Sequence, residues 1–198
     1  MQIIGAKSSF TFIANGRLPL ATLRVRYQAR KRRVAHMRGY PQWRWHFDEV
    51  FVKVNGKLCY LWRAVDHEGE ILEAVVTARR DKAAALKLLK RIMKRYGQPR
   101  KIVTDGLCSY SAAMKELGNT DRQEAGGRLN NRAENSHQPF RRRERAMQRF
   151  RSMKTLQKFS SVHAQVHNHF NQERHLVTRQ VYKQRRSAAL AEWLALAA

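Results

Sequence analysis

Trp43-Arg44-Trp45-His46-Phe47-Asp48-Glu49-Val50-Phe51-Val52-Lys53-Val54, followed by Asn55-Gly56, decides the fold class. The run is rich in aromatic and β-branched side chains, which suit a pleated, half-buried surface, so it reads as a strand. Asn55-Gly56 is a type I′ hairpin signal, because both central residues of that turn need positive φ. Leu58 to Val65 supplies the returning strand, His67-Glu68-Gly69-Glu70 a second turn and Ile71 to Thr77 a third strand. Together they predict an antiparallel meander.

Working outward, the period changes. Asp81 can cap a helix in which Ala84, Ala85, Leu88, Leu89, Ile92, Met93 and Tyr96 recur at helical spacing, and Gly97 and Pro99 end it. Lys101-Ile102-Val103-Thr104 is a short buried strand with Asp105 at its carboxyl end. Ser109 is expected to cap a second helix ending near Gly118, and Asp121 to Asn130 reads as a polar loop. Asn131-Arg132-Ala133-Glu134 opens a third helix in which Pro139 predicts a kink or break. Ser152 begins a long helix with Leu156, Phe159, Val162, His163, Val166 and Phe170 on one side, and Ser187 to Leu196 forms a last short one. Strands, helix, strand and helices in that order predict an α/β fold, a mixed sheet flanked by helices.

Charge locates the partner. The chain has 198 residues, 40 Lys and Arg against 15 Asp and Glu, and a formal net charge of +25. Residues 1–47 carry 10 basic and no acidic side chains, residues 48–127 carry 15 and 11, and residues 128–198 carry 15 and 4. A nearly balanced middle is thus flanked by two basic arms, the pattern of a folded core with polyanion-binding surface. Nucleic acid is the expected partner, since such an excess repels itself unless a polyanion neutralises it. The expected division is a basic remnant or poorly ordered segment over 1–42, a catalytic domain over 43–150 and a helical carboxyl-terminal extension over 151–198. No apolar run approaches the roughly 20 residues of a membrane helix. Cys59 and Cys108 are too few for a disulfide framework and lack metal-ligand spacing. The cytoplasm is the expected location.

Three acids suggest chemistry. A fourth strand laid beside the first would bring Asp48 and Asp105 together across the sheet, at the edge where ligands gather in open α/β sheets. Glu134 could close that site from the helix above. Converging carboxylates suit Mg²⁺, a hard cation that takes oxygen ligands, and paired ions clamp an in-line phosphoryl displacement.

The order of these pieces resembles the catalytic domain of DDE transposases, specifically the insertion-sequence group IS six. The residues that carry the likeness are Trp45-His46-Phe47-Asp48-Glu49-Val50, Tyr60 to Asp66, and Ile102-Val103-Thr104-Asp105. Further on come Ser109-Tyr110, Leu129 to His137, and His167 to His175. The resemblance covers roughly Trp43 to Leu194. It implies a ribonuclease-H-like fold and two Mg²⁺ ions (Mn²⁺ being a substitute) held by Asp48, Asp105 and Glu134. It implies DNA strand transfer, in which a 3′-hydroxyl attacks a target phosphodiester. It also implies double-stranded DNA as partner, self-association into a homo-oligomer, and a basic residue seven positions after the glutamate, here Arg141. Arg132, Arg141, Arg142, Arg143, Arg145, Arg149 and Arg151 are the candidate DNA contacts. Family members usually carry an amino-terminal helix-turn-helix region, and Met1 to Tyr40 shows no two-helix pattern. A truncated, catalytically inactive DNA-binding remnant is therefore the alternative, and a basic RNA-binding protein a third reading.

Each candidate also has a plainer role. Asp48 could pair with an arginine, Asp105 could cap the turn after its strand, and Glu134 could complete a capping-box-like start with Asn131. Asp66 suits a structural role at a strand end, and Glu49 is a spare acid beside Asp48. Trp43, Trp45 and Trp62 read as core. His163, His167, His169 and His175 suit helix packing better than zinc, since no cysteine is near.

Overall fold

The computed structural model describes residues 44–147, 150–170 and 177–197. Segment 1–42, Trp43, Arg149 and His175 lie outside the described residues. By their internal contacts the described residues fall into two units, one ending at Ala164 and one beginning at Gln165.

The meander forms as the hairpin signal predicts. β1 (Arg44–Val54) turns through Asn55, φ 48°, and Gly56, φ 78°, into β2 (Lys57–Asp66), and β3 (Ile71–Thr77) follows antiparallel. β4 (Lys101–Thr104) lies parallel to β1 on its other side. A fifth strand, β5 (Gln123–Ala125), extends the sheet parallel to β4, giving the order β3-β2-β1-β4-β5. This corrects the reading of 121–130 as loop alone. Gln123, Glu124 and Ala125 carry no hydrophobic alternation, so only pairing with β4 reveals the strand.

α1 (Lys82–Tyr96) starts where Asp81 accepts a hydrogen bond from the Ala84 amide at 2.9 Å, and ends at Gly97, φ 82°. Its buried Ala85, Leu88, Leu89 and Ile92 meet Trp45, Phe47 and Trp62 on one face of the sheet, with Tyr110 and Met114 of α2 (Cys108–Glu116). Ser109 does not cap α2. The helix begins one residue earlier, and the turn amide of Leu107 is taken by Asp105 instead.

α3 (Asn131–Ala146) covers the opposite face. Asn131 is not its cap, and the expected capping box is absent. The boundary residue is Asn130, whose side chain donates to the Phe47 carbonyl at 2.8 Å. Pro139 does not break the helix, which runs through it as one element. α4 (Met153–Phe170) begins as expected, with the Ser152 hydroxyl accepting from the Thr155 amide. Phe140, Phe150, Phe159 and His163 form an aromatic cluster between α3 and α4. Gln157 of α4 imitates a strand against edge strand β3: its Oε1 accepts from the Val76 amide, and its Nε2 donates to the Ala74 carbonyl, both at 2.8 Å.

The division between units falls at Ala164/Gln165, inside α4. In the other unit, α5 (Arg179–Ala197) is longer than the expected 187–196, because capping by Thr178 and a helix-favouring composition start it eight residues earlier. There His169, Phe170 and Trp193 stack, and the His169 ring meets the Ala189 carbonyl at 2.7 Å. Among the described residues no helix is long and apolar enough to cross a membrane.

Candidate active site

The β1–β4 register builds the site. Arg44 to Phe47 pair with Lys101 to Thr104, so one further step along both strands sets Asp48 beside Asp105. Asp105 turns one oxygen back to the Leu107 amide, 3.1 Å away, while Oδ2 faces Arg80 Nη2 at 3.7 Å. The plain turn-capping role and a site role thus use different oxygens of one carboxylate.

Asp48 accepts the Glu49 amide at 2.8 Å, and its Oδ2 lies 3.6 Å from Nδ1 of His137. One ligand oxygen from each of Asp48, Glu49 and Asp105 falls within a group no wider than 4.8 Å. Burial pushes Asp48 up to about 7, helped by the charges of Glu49, Asp105 and Glu134 and opposed by the Glu49 amide bond. Burial also raises Glu49, whose side chain is 1% exposed, and Asp105 adds to the effect while Arg80 opposes it. Glu134 stands exposed on the first turn of α3. Its charge reaches Asp48, but its oxygens lie outside the 4.8 Å group.

Two cations attend this cluster from opposite sides. Arg80, in the loop before α1, forms an ion pair with Glu49 and reaches Asp105. Arg63 is the direct cross-strand partner of Asp48 and is wholly buried, with none of its guanidinium nitrogens hydrogen-bonded. Burial lowers it to about 10 against the pull of Asp48, so it stays charged at neutral pH, over the Phe140 ring at 5.9 Å. His137 is driven down to about 3 by burial and by Arg63 and Arg141, and is therefore neutral. Asp48 sits between a buried cation and a neutral imidazole.

Other candidates take distinct places. Asp66 is structural, accepting the Glu68 and Glu70 amides at 2.9 and 2.8 Å. Trp45 and Trp62 are core. Arg132, Arg142, Arg143, Arg145 and Arg151 are exposed, whereas Arg141 is half-buried and paired to Glu144 at 2.7 Å. His163 packs on Phe140 and Phe159. Sequence reasoning noted Glu49 only as spare and missed Arg80, Arg63 and His137 as members of the site. Two adjacent acids in one strand point to opposite faces, which is the only signal for Glu49; in so basic a chain no single arginine stands out.

A family model described as a DDE domain, of the IS240 transposase group, matches residues 42–173. The chain belongs to the DDE-domain family. Within it, the DDE domain resembles transposases of group IS six. The transposase for insertion sequence-like element IS431mec and that for insertion sequence element IS257 in transposon Tn4003, both from Staphylococcus aureus, are each 37% identical over 93 residues. Those matches cover 47% of this chain and 40% of each relative, so the chain spans less than half the length of these curated relatives. A chain of the simian T-cell lymphotropic virus intasome, in complex with PP2A regulatory subunit B56 gamma, superposes with a TM-score of 0.51. That likeness has 18% identity and covers 70% of this chain and 51% of the other. The fold is the ribonuclease-H-like one the sequence predicts.

Proposed function

We propose that this DDE domain is the catalytic part of an insertion-sequence transposase that transfers DNA strands, with Asp48, Asp105 and Glu134 as its metal-holding acids. The observation that carries the reading is the convergence of Asp48 and Asp105 at the carboxyl end of β4, the edge of an open α/β sheet that binds ligands. The donor set fits Mg²⁺ or Mn²⁺ in kind: hard oxygens only, with Asp48 and Asp105 within 4.8 Å of one another, Glu134 outside that group, and Asp48 raised to about 7 by burial and by acids that a cation would neutralise. Two such ions, when bound, activate an attacking 3′-hydroxyl and stabilise the leaving oxygen. The chain's own residues do the positioning. β1 and β4 hold two carboxylates on rigid strands, α3 brings Glu134 from above, and Arg63 keeps a fixed positive charge behind Asp48. The exposed arginines of α3 offer contacts to the backbone of double-stranded DNA, which set position rather than sequence preference. Self-association on paired DNA ends belongs to the same proposal.

The test is Mg²⁺-dependent strand transfer between duplex DNA ends and a supercoiled target, with Asp105→Asn as the variant. Activity should fall at least about a hundredfold while the fold persists. Full activity in Asp105→Asn refutes the assignment. DNA binding without strand transfer by the parent chain, under either metal, favours a binding-only remnant.

A further inference from the structure

We propose that Arg80 binds a backbone phosphate of the DNA substrate, and that Glu49 is the anchor holding it there rather than a third metal ligand. The proposal rests on the strand-transfer reading above.

Glu49 and Asp48 are neighbours on β1 and therefore leave it on opposite faces. Glu49 shares the α1 and α2 side with Trp45 and Phe47, and the buried Tyr110 hydroxyl faces it from below. Its side chain is sealed from water, and Oε1 is already taken by the Arg80 guanidinium. A carboxylate withdrawn from solvent needs a permanent countercharge. Arg80 supplies one at Oε1, while Oε2 is buried without a hydrogen-bond partner. The nearness of Glu49 to Asp48 follows from adjacency in β1, and its nearness to Asp105 from the Arg80 guanidinium that both meet, so neither requires a shared metal.

Arg80 is held from three directions. Glu49 and Asp105 both meet its Nη2, and the Phe51 ring lies 5.4 Å beneath the guanidinium carbon. Phe51 is itself braced edge-on by Tyr60 at 5.5 Å. A guanidinium has five N–H donors in a planar fork, so engagement through one nitrogen leaves an edge able to take a second ligand. A third of the Arg80 side chain remains open to solvent. The ligand that edge suits is a phosphodiester, whose paired oxygens match the fork. The electrostatics point the same way: three carboxylates converge here, and a DNA phosphate approaching them would be repelled without a fixed cation at the rim. Because Arg80 is already fixed, binding would cost little side-chain entropy.

Duplex DNA binding measured by fluorescence anisotropy across salt concentrations, with Mn²⁺ binding measured separately by calorimetry, tests this. Arg80→Gln should weaken DNA binding about tenfold and reduce the magnitude of the log–log salt slope by about one, while Mn²⁺ affinity is kept or rises, because Asp105 loses a neighbouring cation. Glu49→Gln should weaken DNA binding by loosening Arg80 and lower Mn²⁺ affinity by well under tenfold, the loss of a nearby charge rather than of a ligand. If Arg80→Gln folds poorly by thermal unfolding, duplexes with single neutral methylphosphonates near the joining end replace it. One position should then weaken binding to the parent chain and not to Arg80→Met, which keeps the apolar stem and lacks the charge. An unchanged salt slope in Arg80→Gln overturns the proposal, as does a tenfold loss of Mn²⁺ affinity in Glu49→Gln, and so does uniform sensitivity to every methylphosphonate in both proteins. Asp105→Asn separates the two readings: retained Mn²⁺ binding and strand transfer there would remove the metal-site assignment, whereas the Arg80 slope is read without either.

Discussion

Asp48 is held near a pKa of about 7, against an ordinary 3.8, first by burial. Between those values the folded chain holds a proton that the unfolded chain has released. The folded state is therefore penalised progressively as pH rises from about 4 to about 7, and the penalty is constant above. An asparagine side chain does not titrate and carries no such penalty. In EDTA, the Tm of Asp48→Asn relative to the parent should rise across that window and then level off, on top of a pH-independent cost of leaving the buried Arg63 without its countercharge. Mg²⁺ should raise the parent's Tm and leave the variant's nearly unmoved, because only the parent gains a ligand. Thermal unfolding at several pH values checks both. Asp48 and Asp105 were legible as candidates because an acid inside an aromatic strand and an acid ending a buried strand are each hard to explain otherwise. Arg63 was not. Its position opposite Asp48 exists only in the pairing of β1 with β2, and one arginine among 40 basic residues carries no signal by itself.

At the scale of elements, local chemistry was readable where it is local. Asn55-Gly56, Asp81 and Ser152 do what their types predict, because turn and cap geometry involve only a few neighbours. Prediction failed where a distant partner competes. Asn130 and Asn131 sit where a cap belongs, yet the Asn130 side chain is drawn to the Phe47 carbonyl across 83 positions. Ser109 lies inside α2, whose boundary residue Leu107 offers no side-chain cap. β5 exists only because β4 offers an edge. Gln157 is the clearest case, a helix residue that completes the hydrogen bonding of an edge strand. Gln157→Leu should cost about 1–3 kcal/mol, since a main-chain donor and acceptor lose their partners together. Tm should fall by several degrees in thermal unfolding, with Mn²⁺ affinity unchanged, because β3 lies two strands from Asp48.

For the molecule as a whole, charge decides what it meets. A net +25 predicts DNA binding that weakens steeply with salt. Replacing Arg142, Arg143 and Arg145 of α3 together by Gln should lower the magnitude of the log–log salt slope by about three if each meets one phosphate. Strand-transfer rates at saturating DNA should change far less if, as proposed, these exposed side chains only position the duplex. Equal loss of kcat and affinity would put them in the chemistry instead. What the sequence by itself determined was the meander, the helices that follow it, the basic flanks and the two strand-borne acids, since periodicity, turn types and charge are properties of neighbours along the chain. Only the tertiary structure decided that Glu49 faces Arg80, that Arg63 is sealed behind Asp48, and that Glu134 approaches without joining the tight group. Those facts depend on strand register and on which side of the sheet each helix covers, and both are set by the burial of the whole core.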